Sequence, residues 1–322
     1  MNGTLQLADI EEAARRIAPY IARTPLLHSS SIDAQAGGRV HFKCENFQHV
    51  GAFKMRGAAN AVFALDDATA ARGVATHSSG NHGAALARAA RLRGITCHVV
   101  VPEGANPVKV ESIRRLGANI IECEATMRGR EQALAEVVAR TGAAVVHPYA
   151  DYKVMAGQGT VAMELLDQLE QPPQVLLVPL GGGGLIAGCA TAAKALQPGI
   201  RVIGVEPEGA ADAAASFQAG KIVPVERPKT IADGLRATVG EPNLAIIRRH
   251  VDAIVTVPDA AIIAAMRLLF ERLKIVVEPS AAVGLAALLE GKVTLDGGTA
   301  GVVLTGGNAD LDRLPWMMEN VQ

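Results

Sequence analysis

Aromatic side chains are scarce in this chain: Phe, Tyr and Trp supply 3% of 322 residues. That leaves little for the stacking platforms that hold single-stranded nucleic acid. Neither sign of charge is in excess, with 31 Lys and Arg against 32 Asp and Glu and a net charge of −1. No basic stripe is therefore present to draw nucleic acid or an anionic membrane surface. The four cysteines, Cys44, Cys97, Cys123 and Cys189, are far apart and form no CxxC pair. They read as reduced structural thiols of a cytoplasmic protein. Long apolar runs are missing too. Even "LLVPLGGGG" and "VVLTGG" stop far short of a membrane span, and the N-terminus, with early acids and no apolar core segment, carries no expected secretory signal. His28, His41, His49, His77, His98, His147 and His250 show no HExxH spacing, and none is assigned to a metal or to catalysis.

What is present is the composition of a globular domain, 49% hydrophobic and 20% charged. Strand, glycine turn and helix alternate along most of the chain. "GVATHSSGNHGAALARAARLRG" reads as a strand, a Ser/Gly/Asn loop and an alanine-rich helix; "ITCHVVVPEGAN", "PVKVESIRRLG", "NIIECE" and "MRGREQALAEVVARTG" continue the pattern. "QVLLVPL", "GGGGLIAGCATAAKAL" and "RVIGVEP" repeat it later. Strands apolar on both faces, alternating with helices, predict parallel sheets covered by helices, an α/β fold. Two βα blocks are expected. Residues 70–145 form a small domain, and residues 1–69 with 146–322 form a large one, sharing a wide interface that suits a ligand.

Within "ENFQHVGAFKMRGAAN", Lys54 follows Phe53 in a run otherwise fit for burial. A lysine there must be paired, lowered in pKa or used covalently, unless it snorkels to water. In "VLLVPLGGGGLIAG", Gly181, Gly182, Gly183 and Gly184 follow a buried strand and open a helix. Bare backbone N–H groups at a helix N-terminus suit a phosphate. No Gly-Lys-Ser/Thr follows, so this is not a Walker A loop. Gly182, Gly184 and Ala187 also satisfy G-x-G-x-x-A, with Glu206 at the distance of a ribose-binding acid, so the loop alone leaves a nicotinamide dinucleotide open. "THSSGNHG" gathers Ser78, Ser79, Gly80, Asn81 and His82 at a strand-to-helix corner, donors for a carboxylate or phenolic oxygen. "VVLTGGNAD" ends a late strand at Thr305. Polar loops at strand C-termini are where open α/β sheets bind ligands.

The ordered set "GAFKMRGAAN", "THSSGNHG", "AGQGT", "PLGGGGLIAG", "GVEP" and "VVLTGGNAD" resembles the serine/threonine dehydratase and serine racemase family, over essentially the whole chain. That resemblance implies a fold-type II, tryptophan synthase β-like enzyme dependent on pyridoxal 5′-phosphate (PLP), with two doubly wound domains and the cofactor in the cleft between them. Lys54 then looks like the lysine that joins PLP as a Schiff base, with Phe53 beside the ring. Gly181 to Gly184 would hold the phosphate, and Asn81 would bond the phenolic oxygen. Ser78, Ser79, Gly80 and His82 would grip the substrate carboxylate. Thr305 stands where a hydroxyl, more often Ser, faces the pyridine nitrogen. A neutral partner there leaves the nitrogen unprotonated, which suits elimination over transamination.

The activity implied is β-elimination of a β-hydroxy amino acid such as L-serine, L-threonine or threo-3-hydroxyaspartate, giving a 2-oxo acid and ammonia. Lys54 would act as base at Cα. Ser79 matches the second acid/base of racemising members, so a serine or aspartate racemase is the nearest alternative, and a nicotinamide dehydrogenase a distant one. Glu206, the Ala210 carbonyl and Asp212 match the family's divalent-cation site, suited to Mg²⁺, Mn²⁺ or Ca²⁺. Ala52 departs from the commoner "GSFK" and is similar to the 3-hydroxyaspartate dehydratases. There Arg130 would pair with a second substrate carboxylate, or else it is a solvated helix arginine. Tyr149 either lines the pocket or caps the domain junction. The partner the family suggests is a second copy of the chain, a homodimer, with no nucleic acid and no membrane.

Overall fold

In the computed structural model, residues 4–105 and 107–318 are described. Ten strands form two sheets: β1 (Leu26–Leu27), β2 (Arg39–Cys44), β3 (Val74–His77), β4 (Cys97–Pro102), β5 (Asn119–Cys123), β6 (Ala144–Val145), β7 (Val175–Pro179), β8 (Arg201–Pro207), β9 (Ala253–Val257) and β10 (Thr299–Leu304). The larger sheet runs β1-β2-β10-β7-β8-β9, and the smaller β5-β4-β3-β6. Only β1 is antiparallel, on β2; every other pairing is parallel. β7 and most of β8 and β10 are buried on both faces, as parallel strands between helical layers must be.

Small residues let the helices close on one another, which is where the scarcity of aromatics has its effect. The helix Tyr152–Asp167 lies between the helix Lys54–Phe63 and the helix Gly184–Leu196. A Cβ on Gly157 would stand 2.5 Å from the Arg56 carbonyl oxygen, and one on Gly188 would stand 2.2 Å from that of Met155. No side chain fits at either point. "AGQGT" is therefore a packing motif. It sets the lysine-bearing helix and the glycine-loop helix at a fixed spacing through the one between them.

The helix Lys54–Phe63 is shared between the two halves. Met55, Ala58, Ala59 and Val62 enter the core beneath the small sheet, with Leu86, Val99 and Ile113. Its polar side carries Arg56, fully buried, whose guanidinium bonds Glu45 at 2.7 and 2.8 Å and Glu164 at 3.1 Å. Lys43, also fully buried, bonds Glu164 at 2.6 Å and the Thr24 carbonyl at 2.8 Å. Buried charges persist when every donor and acceptor is matched in this way.

Candidate active site

The chain enters the site through an extended Ala52. This residue bridges Gly306 across the end of β10, and the N–H of Phe53 donates to the Thr305 carbonyl at 3.0 Å. The helix starts at once with Lys54. Its side chain turns into a cavity of about 450 Å³ between the two sheets, ample for a cofactor and a small substrate. Lys54 Nζ donates to the Pro148 carbonyl at 2.9 Å and lies 5.0 Å from the Phe53 ring centroid. Burial lowers its pKa to about 8, and the nearby Glu278 carboxylate opposes that shift. An amine so placed gives up its proton far more readily than an ordinary lysine, as a nucleophile or base requires.

The glycine loop closes one end. Gly183 has φ +89°, a conformation that favours glycine. Cβ atoms at Gly182 and Gly184 would stand 2.5 and 3.0 Å from Tyr149, so the loop is bare partly to admit that ring and backbone. Asn243 Nδ2 fixes the arrangement by donating to the Gly182 and Tyr149 carbonyls at 2.9 and 3.0 Å. The N–H groups of Gly181, Gly182 and Gly183 find no acceptor among the described residues, and they stand at the start of the helix Gly184–Leu196. That is an anion cradle.

At the other end Thr305 is 3% exposed, and its Oγ1 is buried without a partner. A buried hydroxyl left bare costs stability unless a ligand atom meets it. Between these ends lies the loop of residues 78–80, at the N-terminus of the helix Asn81–Arg93. Ser78, Ser79, Gly80, Asn81 and His82 line the same cavity as Lys54, Phe53, the four glycines, Arg130 and Thr305. His82 Nε2 is 3.1 Å from the Val146 carbonyl, which assigns the proton there and leaves Nδ1 a bare acceptor. Burial and the Lys54 charge push its pKa down to about 3. His82 is thus neutral and brings no charge to a carboxylate. Arg130 stands half-buried on the helix Met127–Thr141, its Nε buried and without a partner. Across the cavity wall, Lys109 pairs with Asp233 at 2.5 Å.

The residues gathered here fit PLP on independent grounds. The anion cradle, the bare hydroxyl and the low-pKa lysine are groups of the kinds that would suit the phosphate, the ring nitrogen and the aldehyde of that cofactor, respectively. Glu206 does not serve a dinucleotide. It is fully buried, and its carboxylate accepts from the N–H groups of Ala213 and Ala214 at 3.2 and 2.7 Å, out of reach of a ribose. Asp212, 2% exposed, accepts from the Val239 N–H at 2.8 Å. Burial, with repulsion from Asp212, raises Glu206 to about 8, and burial raises Asp212 to about 6. Two adjacent buried acids of this kind are a strained pair, and a hard cation would relieve them. Among the described residues no cluster of three His, Cys, Asp or Glu side chains forms anywhere.

One site residue was not legible beforehand. Glu278 lines the cavity, 4% exposed, at the N-cap of the helix Pro279–Leu289. Burial lifts its pKa to about 7. Its signal was in "VVEPSAAVGLAALL", an acid isolated in an apolar run before a helix-starting proline, the same anomaly that singled out Lys54.

Fold and site together define a PLP enzyme of the α/β type with its lysine in an interdomain cleft. A family model described as "pyridoxal-phosphate dependent enzyme" matches residues 17–306, and the chain belongs to that family. It is 49% identical to a beta-hydroxyaspartate dehydratase of Paracoccus denitrificans, over 96% of this chain and 98% of that protein. It is 48% identical to a serine racemase of Arabidopsis thaliana, over 96% of this chain and 94% of that one. The solved structure of maize serine racemase superposes with a TM-score of 0.94 at 47% identity, covering 98% of this chain and 97% of that one.

Proposed function

We propose that this protein dehydrates and deaminates a β-hydroxy amino acid, and that its substrate carries a second carboxylate, as 3-hydroxyaspartate does. The observation that carries the reading is the bare hydroxyl of Thr305 and the low-pKa Lys54 in one cavity with the unsatisfied Nε of Arg130. The similarity to a beta-hydroxyaspartate dehydratase supports it.

When bound, PLP supplies an electron sink for charge at the substrate Cα. The N–H groups of Gly181 to Gly183 would hold its phosphate. Thr305 Oγ1 would meet its ring nitrogen without protonating it, Phe53 would flank the ring, and Asn81 would donate to its phenolic oxygen. Ser78, Ser79 and Gly80 bind the α-carboxylate with hydroxyl and N–H donors at a helix N-terminus. Lys54, as the free amine, takes the Cα proton. The β-hydroxyl departs as water with a proton equivalent to the one Lys54 took from Cα, a carbon–carbon double bond forms, and the released enamine tautomerises and takes up one water to give the 2-oxo acid and ammonia. Arg130 pairs with the β-carboxylate, for which its planar fork is suited.

Racemisation is a second reading. It is favoured by Ser79 lining the cavity together with Lys54, and by the likeness to serine racemases. Glu206, Asp212 and the Ala210 carbonyl would hold Mg²⁺, Mn²⁺ or Ca²⁺ as an activating ion. The four cysteines are free and buried, which accords with a cytoplasmic setting. No helix among the described residues is long and apolar enough to cross a membrane. Exposed Phe47, Val276, Leu311 and Met317 suit a homodimer. The working division is a large PLP-binding domain of residues 1–69 and 146–322 and a small domain of residues 70–145.

The deciding experiment measures 2-oxo acid release by the PLP-loaded protein from L- and D-serine, L- and D-threonine and the 3-hydroxyaspartate stereoisomers. Dominant release from a hydroxyaspartate is the expected result. Release from none, with exchange of enantiomers instead, would replace elimination by racemisation.

A further inference from the structure

An asparagine amide has a carbonyl oxygen and two N–H donors, and its two orientations look alike until the surroundings choose between them. Asn81 is surrounded so that one orientation is forced. Its Nδ2 lies 2.9 and 3.2 Å from the two carboxyl oxygens of Glu278, an arrangement that uses one N–H, shared between two acceptors. Its Oδ1 accepts from Asn308 Nδ2 at 2.8 Å. Asn308 is pinned in turn, because the same Nδ2 donates to the Val50 carbonyl at 2.8 Å. Both N–H groups of Asn308 thus face acceptors, and the reversed orientation of Asn81 would set two donors against each other. What remains of Asn81 is one N–H, and that residue lines the cavity.

The glycines around the clamp are needed for its approach. A Cβ on Gly306 would stand 2.7 Å from Glu278 Oε1, and one on Gly51, at φ +69°, would stand 2.7 Å from Asn308 Oδ1. The three side chains also come from both halves. Asn81 starts a helix over the small sheet, Glu278 starts one over the large sheet, and Asn308 follows β10.

We propose that Glu278 and Asn308 are positioning residues that lock the Asn81 amide so that its one free N–H is aimed at the phenolic oxygen of PLP. The inference rests on the PLP reading above. The carboxylate at Glu278 acts through Asn81 and does not touch the substrate. Because the clamp joins the two halves, a cleft that opens releases Asn81 from both partners at once, and the grip on that oxygen goes with it.

The test is a double-mutant cycle read by PLP affinity and by the visible absorption of the reconstituted protein. Asn308→Ala and Glu278→Ala should each weaken PLP about tenfold, the scale of one hydrogen bond to a polarised oxygen, and shift the absorption band. Glu278→Gln, which keeps an acceptor oxygen, should restore both. In an Asn81→Ala background the same substitutions should change affinity less than about twofold, since residues acting through one group do not add. Thermal unfolding of each apo variant separates folding loss from this effect. Equal penalties with and without Asn81, or Glu278→Gln as damaged as Glu278→Ala, overturn the clamp while leaving the PLP reading intact. A wild-type protein that takes up no PLP overturns both.

Discussion

Lys54 and Arg56 are two residues apart on one helix, and their surroundings are opposites. Arg56 is wholly enclosed by Glu45, Glu164 and hydroxyl groups, with a partner for each nitrogen. Among the described residues, Lys54 has one carbonyl partner and no ion pair, in a cavity where Thr305 Oγ1 and three glycine N–H groups are also bare. The first region is polar and finished, and its work is structural. The second is polar and unfinished, and it needs a ligand to complete it. Burial alone does not separate a structural ion from a functional one; the state of its hydrogen bonds does.

The contrast breaks most sharply at Lys54. Lys54→Ala should cut turnover by about 10³-fold, within the range for loss of a general base, and should abolish the borohydride-trapped lysine, with the unfolding midpoint little changed. Arg56→Met should do the reverse. It strands Glu45 and Glu164 in the interior and should cost about 3–5 kcal/mol of stability in urea titrations, while PLP uptake per folded molecule persists. If Arg56→Met leaves stability intact but blocks PLP uptake, the division between the two regions is wrong.

Arg130→Met should raise KM for a hydroxyaspartate about tenfold or more, the scale of a lost charged hydrogen bond, with a smaller change for serine. Equal losses on both substrates would make Arg130 a bystander. Glu206 sharpens the comparison through pH. Its folded pKa of about 8 lies above its ordinary 4.5, so the native protein holds a proton that the unfolded chain releases. The associated stability is full below pH 4.5 and is lost as pH rises towards 8. In chelator, the melting temperature should fall across that window, and Glu206→Gln should flatten the fall. Added Mn²⁺ should stabilise the wild type more at pH 8 than at pH 6. The smallest effect is expected at Lys109, whose pair with Asp233 is partly exposed. Lys109→Met should cost under about 1 kcal/mol, fading with salt.

The parallel α/β class was legible because buried strands and alanine-rich helices leave local patterns. Lys54, Thr305 and the glycine loop were legible for the same reason, each being an anomaly within a few residues of sequence. Glu278 carried a local anomaly too, but its role and that of Asn308 were not legible, because both lie in Asn81, 197 and 227 residues away. Tyr149 shows the limit differently. The glycines facing it looked like bare backbone for a phosphate, and half of their reason is the aromatic ring packed on them. The helix Glu241–His250 gives only an amphipathic signal, so nothing in it pointed to Asn243, whose bonds to the Gly182 and Tyr149 carbonyls fix the glycine loop.

The bridge between Ala52 and Gly306 has an evolutionary consequence. It ties the lysine turn to the threonine loop by backbone alone, so the spacing between Lys54 and Thr305 is independent of the side chain at position 52. The serine loop and Arg130 hang from the other sheet. On the proposed function, a lineage could exchange one amino acid substrate for another by editing Arg130 and the serines of that loop, while Lys54, Thr305 and the glycine loop are inherited unaltered.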